Sequence, residues 1–186
     1  GLMSRFPEGQ LLSVRPSAEK PEWAGPGAVL NIGMNDAAHA AIAARHGEGV
    51  ATRLYLQFVQ AYAQHVARLD PDTFSRTEAS REALREALRD YEDEMEEPFP
   101  QDPRRQLAEV LRSMARAWEG TSARLLRQAK GAPAEAGLGL VVQAMAAGFD
   151  GDSGAGGIQF VGPVTGGPQG TGRFARFAQG REGRAE

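Results

Sequence analysis

The 186-residue chain contains no cysteine. That excludes disulfides, thiolate metal sites and a cysteine nucleophile. Aromatic residues make up 7% of the chain, so the core must be built largely from Ala, Leu and Val. There is no excess of basic charge: the formal net charge is -3, and nucleic-acid binding, which usually needs a basic face, is not expected. No apolar run approaches the roughly 20 residues of a membrane helix, and no membrane association is expected. The first residues lack the basic-then-apolar order of a signal peptide. A cytoplasmic location is the default reading, and no internal repeat is present.

What the chain has in quantity is glycine, 23 residues, concentrated after Gly131. Before that point the sequence is patterned for helices. Residues 10–15 read as a short strand that Pro16 should break, followed by an irregular loop over 16–28. Val29 to Gly33 is a short apolar run. Asn35 or Asp36 can cap a helix running to about Arg45, because either side chain accepts from a free N–H two or three residues on, and Gly47 should end it. Residues 48–69 place Val50, Leu54, Phe58, Ala61, His65 and Leu69 on one apolar stripe. The next helix is expected to begin at Thr77, with Glu78, Arg81, Glu82, Arg85, Glu86 and Arg89 at ion-pairing spacings and Leu84, Leu88, Tyr91 and Met95 inward. Pro103 suits the first turn of a further helix, whose buried face is Leu107, Val110, Leu111, Met114 and Trp118. A short basic helix over 122–130 precedes Gly131.

Beyond it, Leu138 to Met145 reads as a strand with β-branched residues at its centre. A turn is expected over 150–154, a strand over 157–161, a loop or hairpin over 162–172 and a last strand over 173–177. The fold class is therefore α+β. A helical subdomain, 35–130, is inserted into a sheet-forming part made of 1–34 and 131–182, with 183–186 as a tail.

Several segments resemble one family. Asn31-Ile32-Gly33-Met34-Asn35-Asp36 is similar to the NLGLND of pyruvate phosphate dikinases, and Pro98-Phe99-Pro100-Gln101-Asp102-Pro103 matches their PFPQDP. Ser13-Val14-Arg15 resembles SVR, Val142-Gln143-Ala144-Met145 resembles VQ.M, Asp152-Ser153-Gly154-Ala155-Gly156 resembles DSGTG, and Phe177-Ala178-Gln179-Gly180 resembles NAQG. All six occur in the family's order and near its spacing.

The resemblance implies a partial ATP-grasp-like nucleotide-binding domain from an enzyme that moves a phosphoryl group from ATP towards a histidine. ATP and Mg²⁺ are the implied cofactors. Arg15 matches the arginine facing the ATP phosphates, a role its planar fork suits, and Gln179 matches the glutamine of NAQG near the nucleotide. The acidic residue that the family places before that motif aligns with Arg173, which would repel the metal that phosphoryl transfer needs. No catalytic residue and no metal ligand is assigned. The expected activity of the isolated chain is weak or nil. The alternative is a catalytically dead interaction module that pairs with itself or with a dikinase-like partner.

His39, His46 and His65 lie far apart on expected helices, with no carboxylate at ligand spacing. The acidic run from Glu92 to Glu97 sits at the helix end that negative charge disfavours, and reads as a solvated face. The glycines from Gly151 to Gly157 lack the Lys-Ser/Thr ending of a phosphate loop and read as a turn.

Overall fold

The computed structural model describes residues 1–23, 25–146, 148, 153–162 and 164–176. The chain divides into two compact units, 1–145 and 146–186. The architecture is α+β, in agreement with the sequence reading.

The first unit holds a three-stranded sheet in the order β2-β1-β3, all antiparallel, with β1 at Leu12–Ser17, β2 at Val29–Ile32 and β3 at Gly139–Ala144. Strand β1 does not stop at Pro16, as the sequence reading expects; Pro16 pairs with Leu140. The reason is topological. β2 pairs with β1 only as far as Val14, so at Pro16 one edge of β1 is open and a residue without an N–H costs no ladder bond there.

Five helices lie between β2 and β3 in sequence. Helix α1, Asp36–His46, starts at Asn35, whose side chain accepts from the Ala38 N–H, and ends at Gly47. Helix α2, Glu48–Tyr62, leads into a wider i→i+5 turn over Ala63–Ala67, closed by Arg68 with φ 62°. That turn shifts the helical phase. His65 consequently leaves the apolar stripe on which a regular helix would put it and is exposed. Helix α3, Arg81–Met95, begins later than Thr77 because Ser80 is the cap, accepting from Ala83 N–H. Helix α4, Pro103–Glu119, is capped by Asp102 and carries Pro103 in its first turn. Helix α5 is Thr121–Ala129. The expected inward face of α4 is buried at Leu107, Val110, Met114 and Trp118.

The core of this unit lies between the sheet and α2, α3 and α4. Leu12, Val14, Val29 and Ile32 are fully covered on the sheet side. Phe99 stands at the centre of the helices, with ring centroids 5.2–6.0 Å from Tyr55, Phe58, Tyr62 and Tyr91. These are edge-on distances, at which aromatic pairs attract beyond their buried area. Among the described residues no helix is long and apolar enough to cross a membrane.

The second unit is described as one antiparallel hairpin of β4, Gly154–Val161, and β5, Pro168–Arg176. Both strands are longer than the sequence suggests, and β5 takes up much of the glycine-rich 162–172 stretch. Glycine is used here for close approach. A Cβ at Gly154 would lie 2.5 Å from Phe174 Cζ, and one at Gly172 would lie 3.0 Å from Ile158 Cγ1. Large apolar side chains thus lie across glycine positions on the facing strand, and Gly154 to Gly157 is strand rather than turn.

Candidate functional site

Four of the six segments that carry the family resemblance, 13–15, 31–36, 98–103 and 142–145, come together in the first unit; 152–156 and 177–180 belong to the second, where 152 and 177–180 lie outside the described residues. Asn35 caps α1 and also donates from Nδ2 to the Gln101 carbonyl, 2.8 Å. Gln101 answers with its side chain: Oε1 accepts from the Asp36 N–H at 2.9 Å, and Nε2 donates to the Tyr55 hydroxyl and to the Phe99 carbonyl. Tyr55 in turn donates to Asp36 Oδ1 at 2.9 Å. The 31–36 and 98–103 segments are thereby locked to each other across about 65 residues of sequence.

Gln106 completes the lock. It is 0% exposed. Its Oε1 accepts from the Gly33 N–H at 2.8 Å, and its Nε2 donates to the Met34 carbonyl at 2.9 Å and the Pro100 carbonyl at 2.7 Å. The other two segments join at the sheet. Ser13 reaches the Gln143 carbonyl, and the Asn31 N–H points at Met145 Sδ, 3.1 Å away. Asn31 holds φ 60°, a left-handed conformation that asparagine tolerates better than most residues.

Arg15 stands at the solvent side of this assembly. Side chains alternate along a strand, so Arg15 points opposite to the buried Leu12 and Val14, in register with Val141. It is exposed. Among the described residues no carboxylate pairs with it. A permanently charged planar fork on a rigid central strand, without a counter-ion, can take a phosphate or carboxylate oxygen pair. Gln179 lies outside the described residues. Arg173 is on β5, opposite Gly157 in the hairpin.

Among the described residues, no three His, Asp or Glu side chains are grouped so as to hold a metal ion. The described residues thus offer a cation, Arg15, that suits the phosphates of a nucleotide, and no cluster of carboxylates that suits Mg²⁺. Of the acidic run, Glu92, Asp93, Glu94 and Glu96 are exposed, while Glu97 pairs with Arg105 at 2.5 Å.

Sequence reasoning missed the two glutamines. Gln101 was legible only as part of a motif. Gln106 has a local signal: it sits one turn before Val110 and beside the apolar stripe of α4, where an uncharged polar side chain must find partners in the interior.

No family model matches the chain. Comparison with curated proteins finds similarity to the pyruvate, phosphate dikinase of Rhizobium meliloti (strain 1021), 32% identical over 192 residues that make up 92% of this chain and 21% of that protein. The pyruvate, phosphate dikinase of Clostridium symbiosum is 27% identical over 193 residues, 92% of this chain and 22% of that protein. The pyruvate, phosphate dikinase 1, chloroplastic, of Zea mays is 28% identical over 191 residues, 92% of this chain and 20% of that protein. The chain thus spans about a fifth of the length of the curated relatives it matches, and over that fifth it is weakly but continuously similar to pyruvate phosphate dikinases.

Proposed function

We propose that this chain is an ATP-binding region of the pyruvate phosphate dikinase type, with Arg15 against the phosphates and Gln179 as a second contact near the nucleotide. The observation that carries the reading is Arg15 itself, exposed on a central strand and without an ionic partner among the described residues, within a chain similar over 92% of its length to those enzymes. In this reading the isolated chain binds ATP weakly and does not turn it over, because Arg173 stands where the resemblance puts an acid and the described residues offer Mg²⁺ no cluster of carboxylates.

Titration calorimetry tests it. The parent chain is expected to take up ATP in the millimolar range. Arg15→Ala should weaken that by about tenfold to a hundredfold, the worth of one hydrogen-bonded charge contact of about 1.5–3 kcal/mol. A parent chain that neither gives heat nor gains thermal stability at millimolar ATP removes the claim.

A second reading is favoured by the sheet. β3 is an outer strand of the order β2-β1-β3, and Leu138 to Met145 carries no charge or proline, the features that usually protect an edge from another chain. On this reading the chain is an interaction module that pairs through β3 with a second copy or with a dikinase-like partner. Light scattering that finds only monomer at high concentration counts against self-pairing.

A further inference from the structure

A groove that does not include Arg15 in its lining runs between α4, α5 and the 3-10 turn Pro21–Trp23. It has a volume of about 320 Å³ and is lined by Trp23, Pro26, Trp118, Ala123, Leu126 and Lys130, among others. Its walls are apolar, and its rim includes Leu126, 64% exposed. Three observations go beyond a gap in the packing.

The first concerns the two indoles. The Trp118 N–H donates to the Ala136 carbonyl at 2.9 Å. The Trp23 N–H, in a side chain only 3% exposed, has no acceptor among the described residues. A buried donor without a partner is costly and calls for an explanation.

The second is charge. Arg127 is 4% exposed. Its guanidinium carbon lies 3.6 Å from the centre of the Trp118 ring, and Nη1 donates to the Trp118 carbonyl. Lys20 sits over the Trp23 ring, 5.7 Å from its centre. Lys130 donates to the Glu22 carbonyl, not to its carboxylate. Among the described residues none of the three cations makes an ion pair. A buried cation normally has a counter-charge, so the surroundings of this apolar groove favour an anion.

The third is that Arg127 is held in place by its stacking and its hydrogen bond, so the positive charge behind Trp118 is preorganised and needs no rearrangement to act.

We propose that the groove between Trp23 and Trp118 binds a small amphiphilic anion, an apolar body ending in one carboxylate. The apolar part lies along Pro26, Ala123 and Leu126. The carboxylate meets Lys130 at the rim, and Trp23 supplies the N–H that lacks an acceptor. The site shares no residue with the phosphate position on β1 and stands or falls independently of it.

The chain has two tryptophans, and both line this groove, so emission excited selectively at tryptophan reports on the groove. The test titrates the whole chain with octanoate, and with octanol as a neutral probe of the same length. Octanoate is expected to give a saturable change in tryptophan emission at a concentration about tenfold below octanol. Lys130→Glu should bring the octanoate curve to that of octanol. Ala123→Phe, which fills the groove from the surface of α5, should abolish both responses while the helical circular dichroism is kept. Arg15→Ala should titrate as the parent does. The proposal is overturned if octanoate gives no saturable change, if octanoate and octanol superimpose, if Lys130→Glu leaves the octanoate curve in place, or if folded Ala123→Phe still responds.

Discussion

Gln106→Met is expected to lower the melting temperature by roughly 10–15 °C, with no loss of side-chain volume to account for it. The native amide makes three bonds in a fully buried position, to Gly33 N–H, Met34 C=O and Pro100 C=O. Methionine fills the same space and makes none. Each backbone group left without a partner costs about 1–3 kcal/mol. The carbonyls lie at the lower end of that range because a second lone pair gives them other options, so a total of about 3–5 kcal/mol is expected. Folded domains have about 5–15 kcal/mol in all, so the variant remains folded at low temperature and loses much of its margin. Gln106→Glu should be worse, since a carboxylate accepts from Gly33 but repels both carbonyls. Thermal unfolding followed by circular dichroism decides the matter. A methionine variant melting within about 3 °C of the parent would mean that the 31–36 and 98–103 segments are held by packing alone.

The helices were legible because their start signals act locally. Asn35 and Pro103 each work within one turn, and the structure puts them where the sequence does. The misreadings came from effects that one turn does not contain. Pro16 continues a strand because β2 pairs with β1 only as far as Val14, a fact about a neighbour. His65 left the apolar stripe because one widened turn changed the phase. The hairpin strands run through glycines that lie close to Phe174 and Ile158 of the facing strand, which a reading of glycine as a loop residue does not foresee. For the candidate site the motifs were readable and their roles were not. Gln101, Asn35 and Asp36 bond to one another and to Tyr55, so this much of the resemblance describes how the chain holds its shape. Arg15 differs from them: it is exposed and makes no such bond, and on it the nucleotide reading rests.

The three tyrosines of the chain are expected to remain protonated well above pH 10 and then to ionise together as the fold is lost. Each is 1% exposed. Burial raises all three hydroxyls, Tyr91 to about 12 and Tyr55 and Tyr62 further. Neighbouring acids add to the effect. Tyr62 donates to Glu109, a carboxylate held below its usual range despite its own burial by the Arg105 and Tyr62 hydrogen bonds. Tyr55 donates to Asp36, although the Gln101 amide that it accepts works the other way. In the unfolded chain the same hydroxyls ionise near pH 10. Between that value and about 12 the folded state therefore binds more protons than the unfolded state, and stability must fall as pH rises. The contribution is fully present below pH 10. One tyrosine costs about 1.4 kcal/mol per pH unit and three cost about 4, so a domain of ordinary stability cannot stay folded for more than a few units above pH 10. Absorbance of the phenolate, recorded together with helical circular dichroism along a pH titration, should show the two signals changing in one step. A phenolate signal appearing near pH 10 while the helices are intact would place at least one of Tyr55, Tyr62 and Tyr91 in contact with water, and the aromatic centre around Phe99 would then be open.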